Sequence, residues 1–107
     1  MFFGNTGDGI EMDADTSNVI LENNVFRTNG GYGVNTNTGT LNAFLSWKNN
    51  CSNNNTSGHI DINGGTMPGT DNLTVDPEFE SEVDGSEDFT PDADSPLLQA
   101  GKQGETA

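Results

Sequence analysis

The chain has 107 residues with 17 acidic against 3 basic side chains, a formal net charge of -14, so it is at most one small domain whose field repels nucleic acid and anionic lipid. Apolar residues make up only 30 %, too few for a thick globular core, and no apolar run approaches the ~18 residues of a membrane span. Cys51 is alone, which excludes a disulfide within the chain and spells no zinc site.

From the first residue the chain repeats itself. Met1-Phe2-Phe3-Gly4-Asn5-Thr6-Gly7-Asp8-Gly9-Ile10 returns 24 residues later as Val25-Phe26-Arg27-Thr28-Asn29-Gly30-Gly31-Tyr32-Gly33-Val34. Met1 thus stands where Val25 stands one repeat on, which implies further turns upstream. A period of roughly 20–50 residues marks a stack in which each turn packs on its neighbours.

Gly7 to Met12 alternates about Ile10 and Met12 with polar Glu11 and Asp13, the period-two pattern of a strand. Its copies place Ile10, Val34 and Ile60 in one inward column and Met12, Thr36 and Ile62 in another. A second strand, Val19 to Glu22, recurs as Leu45 to Lys48 and predicts the columns Val19, Leu45, Leu73 and Leu21, Trp47, Val75. Asn24 and Asn50 follow that strand, and Asn29 and Asn55 recur in the same way. Asparagine accepts left-handed backbone and hydrogen-bonds along a stack of like residues, so both pairs predict turn ladders. Cys51 aligns with Val25 as a small core residue. Towards the end, Pro77 should stop strand propagation. Glu80, Glu82, Asp84, Glu87, Asp88, Asp92 and Asp94 then predict a mobile charged loop.

Turns of this length, rich in Gly and Asn, resemble the right-handed parallel β-helix of the pectate-lyase-like superfamily. The residues that carry the likeness are Gly7-Asp8-Gly9-Ile10, Asn18-Val19-Ile20-Leu21, Asn24-Val25-Phe26 and Asn29-Gly30. Asn72 to Phe79, Asp88-Phe89 and Asp94 to Gly101 are similar to the closing segment of many secreted bacterial members. The resemblance implies an all-β solenoid of about three turns over residues 1–76, and an acidic loop and C-terminal cap over 77–107. In that cap Phe79, Phe89, Leu97 and Leu98 would cover the last turn. The location implied is extracellular or surface-exposed, a virion included.

Outward positions supply the candidate site. Glu11, Asn35 and Asp61 stack as one strip, with Asp13, Asn37 and Asn63 alongside, suited to the hydroxyls of a glycan. Tyr32, at a Gly-flanked corner, is the candidate sugar platform. Asp8, Glu11, Asp13 and Asp15 are the densest acidic group outside the tail and the candidate ligands for Ca²⁺, the one cofactor considered. Their spacing lacks the glycine of an EF-hand loop. At ~4.8 Å per strand, Glu11 and Asp61 would stand ~9.6 Å apart, near the window of an inverting glycosidase. The polygalacturonase branch carries an Asp-Asp pair, Gly-His-Gly and Arg-x-Lys. Here Gly58-His59-Ile60 breaks the second motif and the others are missing. For the lyase branch, Arg27, Lys48 and Lys102 are the only candidate bases, and none has a matching acidic cluster. His59 replaces a recurring glycine and reads as a turn or surface residue, and Trp47 reads as core. Asn-x-Ser/Thr triplets at Asn50, Asn54, Asn55 and Asn72 are chance products of an Asn- and Thr-rich chain.

The expected function is a scaffold-and-cap portion of a protein that binds or processes polysaccharide, with no catalytic residue in this segment. Its expected partners are a polysaccharide or surface glycan and neighbouring turns or subunits, including a homotrimer. The alternatives are a structural module of a virus particle or adhesin, and a complete small hydrolase or lyase.

Overall fold

The computed structural model describes residues 1–13, 16–37 and 44–100. These form an all-β chain of short strands with one 3₁₀ turn, Asn63–Gly65, and one short helix, α1 (Pro96–Ala100). The strands are β1 (Phe2–Phe3), β2 (Ile10–Glu11), β3 (Val19–Glu22), β4 (Val25–Arg27), β5 (Tyr32–Asn35), β6 (Phe44–Lys48), β7 (Cys51–Asn53), β8 (Gly58–Ile60), β9 (Phe79–Ser81) and β10 (Asp88–Pro91). Two compact units divide the chain, Met1–Thr74 and a second beginning at Val75.

Three small parallel sheets make up the first unit, ordered β1-β4-β7, β2-β5-β8 and β3-β6. Each strand pairs with its copy one repeat away. Phe2 lies opposite Phe26 and Phe26 opposite Ser52, while Ile10 lies opposite Val34 and Val34 opposite Ile60. The corners hydrogen-bond as the strands do. Gly30 N–H donates to Asn5 O at 2.8 Å and Thr56 N–H to Asn29 O at 2.9 Å. The core holds Met12, Phe26, Val34, Trp47, Ile60 and Met67, with Phe2, Ile10, Leu21 and Phe44 packed against it. Phe2 stacks on Phe26 at 5.1 Å between ring centroids, and Phe44 meets Trp47 edge-on at 4.9 Å. Cys51 is buried opposite Val25, as its alignment indicates.

Two asparagine ladders run through the corners. Asn29 Oδ1 accepts the backbone N–H of Asn5 at 3.1 Å and its side-chain amide at 3.0 Å, and Asn55 Oδ1 does the same for Asn29 at 3.0 and 2.9 Å. The other ladder is Asn24, Asn50 and Asn72. Inner amides also reach back to a strand carbonyl one repeat earlier, Asn50 Nδ2 to Leu21 O at 2.8 Å and Asn55 Nδ2 to Phe26 O at 2.9 Å. The left-handed backbone lies elsewhere than expected. It falls on the residue before each ladder asparagine: Gly4, Asn23, Thr28, Asn49, Asn54 and Asp71, with φ between 56° and 68°. One residue turns the chain, and the next aims its amide inward.

The second-strand columns differ from the expectation in two places. Val19 pairs with Phe44 and Ile20 with Ser46, so Leu45 is the extra residue of a β-bulge and points outward, 68 % exposed. Phe44 takes the inward place instead. Leu73 pairs with Cys51 rather than Leu45, and Thr70 with Lys48, because the last corner is shorter than the one before it. Trp47 therefore has Gly69 beside it, not Val75. A Cβ on Gly69 would lie 1.8 Å from Trp47 O, at φ +79°; only glycine allows that approach.

In the second unit, β9 and β10 pair antiparallel and Phe79 meets Phe89 edge-on at 5.5 Å. The acidic stretch is thus a hairpin rather than a mobile loop. Aspartates of this unit build turns: Asp76, Asp88 and Asp92 accept the N–H two residues on at 2.8, 3.0 and 2.9 Å. Hydrogen bonds from the Thr90 side chain and backbone hold the Asp88 carboxyl below the usual carboxylate range. Ser95 caps α1 by accepting Leu97 N–H at 3.1 Å, and its own hydroxyl donates to Pro77 O.

Candidate functional site

The sheet β2-β5-β8 positions most of the candidate residues. Glu11 ends β2 and Asn35 ends β5, so in-register pairing sets them side by side. Glu11 is exposed and Asn35 half-buried. Just past β5, Asn37 turns back at φ 54° and donates to Met12 O at 2.7 Å and to Glu11 Oε1 at 3.3 Å. Glu11, Met12, Asp13 and Asn37 line an open hollow of about 520 Å³, with buried Met12 as its apolar floor. Asn37 is a fuller member of this site than its place beside the strip suggested. Its signal in the sequence is the repeat itself, which sets it 24 residues after Asp13.

Asp61 does not complete the row. Strand β8 stops at Ile60, and the Asp61 carboxylate turns to Thr36, accepting its N–H at 2.8 Å and its hydroxyl at 3.3 Å. One repeat earlier in the sequence the equivalent bond runs from Met12 N–H to the backbone oxygen of Asn35, also at 2.8 Å. The Asp61 side chain thus replaces its own carbonyl as the ladder acceptor. Glu11 and Asp61 are not two equivalent groups looking onto one bound bond.

Asp8 is spent in a similar way. Its Oδ1 accepts Tyr32 N–H at 2.6 Å and its Oδ2 accepts the Asn35 amide at 3.1 Å. Asp8, Tyr32 and Asn35 therefore form one hydrogen-bonded set, with the half-buried Tyr32 ring passing over Gly58. Of the four candidate Ca²⁺ ligands, Asp8 faces β5, Glu11 and Asp13 face the hollow, and Asp15 lies outside the described residues. Among the described residues no three acidic, histidine or cysteine side chains converge on one point. Lys102, one of the candidate bases, also lies outside them. Lys48 sits 4.0 Å from Glu22 on the β3-β6 sheet, and the Arg27 guanidinium donates to Asn53 Oδ1.

His59 is half-buried on β8, and burial lowers its pKa from the ordinary 6.5. Its Nδ1 lies 2.8 Å from the hydroxyl of Ser52, which is fully buried. A serine and histidine in contact resemble a nucleophile and its base, but no substrate reaches a hydroxyl with no exposed surface. Ser52 is missed by reading the repeat alone, because nothing in a strand pattern marks which inward residue meets the corner. No family model, curated protein or solved structure matches the chain.

Proposed function

We propose that the chain is a run of right-handed parallel β-helix turns with a C-terminal cap, from a secreted or surface protein that binds polysaccharide. The in-register pairing of strands one repeat apart supports the solenoid reading. The hollow over Met12 carries the functional part. It offers two exposed carboxylates, Glu11 and Asp13, and the Asn37 amide around an apolar floor, which is the mixture a sugar presents in reverse: hydroxyl donors around a C–H face. In this reading the segment holds glycan without cleaving it. Asp8 and Asp61, two further carboxylates by this sheet, are both engaged by backbone N–H groups.

Charge selects the class of glycan. With a net charge of -14 and two carboxylates in the hollow, uronic-acid polymers are repelled and neutral polysaccharides are preferred. A glycan array with the whole chain tests this. Binding of neutral glycans, lost in Glu11→Gln together with Asn37→Ala, is expected. Preference for polyuronates, or release of reducing ends on incubation, would overturn the charge argument or the non-catalytic reading respectively. A calorimetric titration with Ca²⁺ shows whether the cation takes part: the reading requires no heat from it.

A second reading, a structural module of a particle or adhesin, draws on Ile20 and Leu45. They are 58 % and 68 % exposed on the outer face of β3-β6, a place where another subunit, as in a homotrimer, would bury them. Sedimentation of wild type beside Ile20→Ser/Leu45→Ser separates the readings. An assembly that the double variant disperses, without glycan binding, favours the second.

A further inference from the structure

In the first turn a phenylalanine stands beside a glycine. A Cβ on Gly9 would lie 3.3 Å from Phe2 Cβ. By register the second turn repeats the pair as Phe26 and Gly33. The third turn transposes it. Ser52 lies opposite Phe26, and His59, between residues paired to Tyr32 and Val34, lies opposite Gly33. The ring has crossed from one sheet to the next, and a hydroxyl fills the place it left.

That hydroxyl is a junction. Ser52 Oγ accepts the Asn55 amide at 3.0 Å and lies 2.8 Å from His59 Nδ1. The same Asn55 amide donates to Phe26 O, and Asn55 Oδ1 holds Asn29 from the turn above. Asn55 Nδ2 is itself a donor, so among the described residues Nδ1 is the acceptor within reach of the Ser52 hydroxyl hydrogen, which assigns His59 as the neutral tautomer with its proton on Nε2. A protonated ring carries N–H on both nitrogens. The buried hydroxyl hydrogen would then have no acceptor there, and a buried unpaired donor is costly.

We propose that the Ser52–His59 contact is an acid-sensitive latch on the third turn, closed when the ring is neutral and released when it takes a proton. Release loosens β7, β8 and the Asn55 rung together, while the first two turns, built with Phe and Gly, have no titratable counterpart. Burial acts in the same direction, lowering the His59 pKa from the ordinary 6.5. The unfolded chain therefore takes the proton more readily than the folded one. The latch is complete above about pH 6.5 and weakens as the pH falls below it. Other ionisable groups do not reverse this. The titratable side chains on the elements packed on β8 are Tyr32 from β5 and Cys51 from β7, and the 3₁₀ turn contributes none. Asp61, two residues on, has its carboxylate turned to Thr36.

Two measurements on the whole chain test the latch. Imidazole ¹⁵N shifts should show an unprotonated Nδ1 at neutral pH and a titration midpoint below that of a free histidine. An Nδ1–H tautomer, or a midpoint at or above the free value, overturns the proposal. Hydrogen exchange between about pH 7 and pH 5 should show a loss of protection at Cys51, Ser52, His59 and Ile60 that Val25, Phe26 and Val34 do not share. In His59→Asn, whose amide oxygen can accept the Ser52 hydroxyl without titrating, that selective loss should vanish. Uniform loss across all turns in wild type, or the same selective loss in the variant, counts against it. The ¹⁵N titration needs only wild type, so it decides the matter even if the variant does not fold.

Discussion

Every corner asparagine in the two ladders follows a residue with left-handed backbone, and five of those six corner residues are Gly, Asn or Asp. The exception is Thr28 at φ 59°, a β-branched side chain where the left-handed region costs L-residues the most. Thr28→Asn copies its counterpart Asn54 and is expected to stabilise the fold by about 1 kcal/mol in urea denaturation; an unchanged or lower midpoint would show that the threonine side chain has a compensating contact. The inward asparagines are the opposite case. Asn50→Ala strips Asn24 N–H and Leu21 O of their partner in a site with no exposed surface, and should cost about 2–4 kcal/mol. Asn5→Ala, at the exposed end of its ladder, should cost less than about 1 kcal/mol by the same assay. Equal losses at the two positions would mean that the ladder contributes through something other than buried hydrogen bonds. Recurrence at a fixed spacing made these asparagines legible. Which of two adjacent corner residues bends the chain was not legible, since Asn23-Asn24 and Asn49-Asn50 offer two of the same kind.

At the scale of an element, the parallel strands are too short to stand alone, and their inward columns hold them. Phe26 touches Phe2 on one side and Trp47, at 6.4 Å, on the other. Phe26→Ala should cost about 3–5 kcal/mol, enough to unfold a small domain at room temperature. Leu45→Ser should stay within about 0.5 kcal/mol, although simple alternation puts Leu45 inside. Chemical denaturation of the pair measures both; a severe Leu45 variant would argue that the bulge on β6 is misplaced. The sheet of Ile10, Val34 and Ile60 was readable because its strands pair without a bulge. The sheet of β3 and β6 was readable only in part. A bulge shifts the phase by one residue, and a strand pattern of period two then assigns every later side chain to the wrong face.

For the whole molecule, 17 acidic and 3 basic side chains leave a large excess of negative charge and hence mutual repulsion. Screening should relieve it. Raising salt from about 0.01 to 0.15 M shortens the Debye length from ~30 to ~8 Å, and the expected result is a higher melting temperature by calorimetry. A melting temperature that falls or stays level would place the acidic groups too far apart to interact.

Repeat length, strand periodicity and the recurring asparagines determined the all-β character, the column of Ile10, Val34 and Ile60, and the two ladders. These follow from local spacing, which a sequence displays directly. The outward strip was determined only as a set of residue types. Tertiary structure decided which of its members remain available, because a carboxylate beside an unpaired backbone N–H turns to it before it waits for a ligand: Asp8 goes to Tyr32 and Asp61 to Thr36. It also decided that Ser52 and His59 meet, since two residues on different sheets come together only once the corner between them has closed.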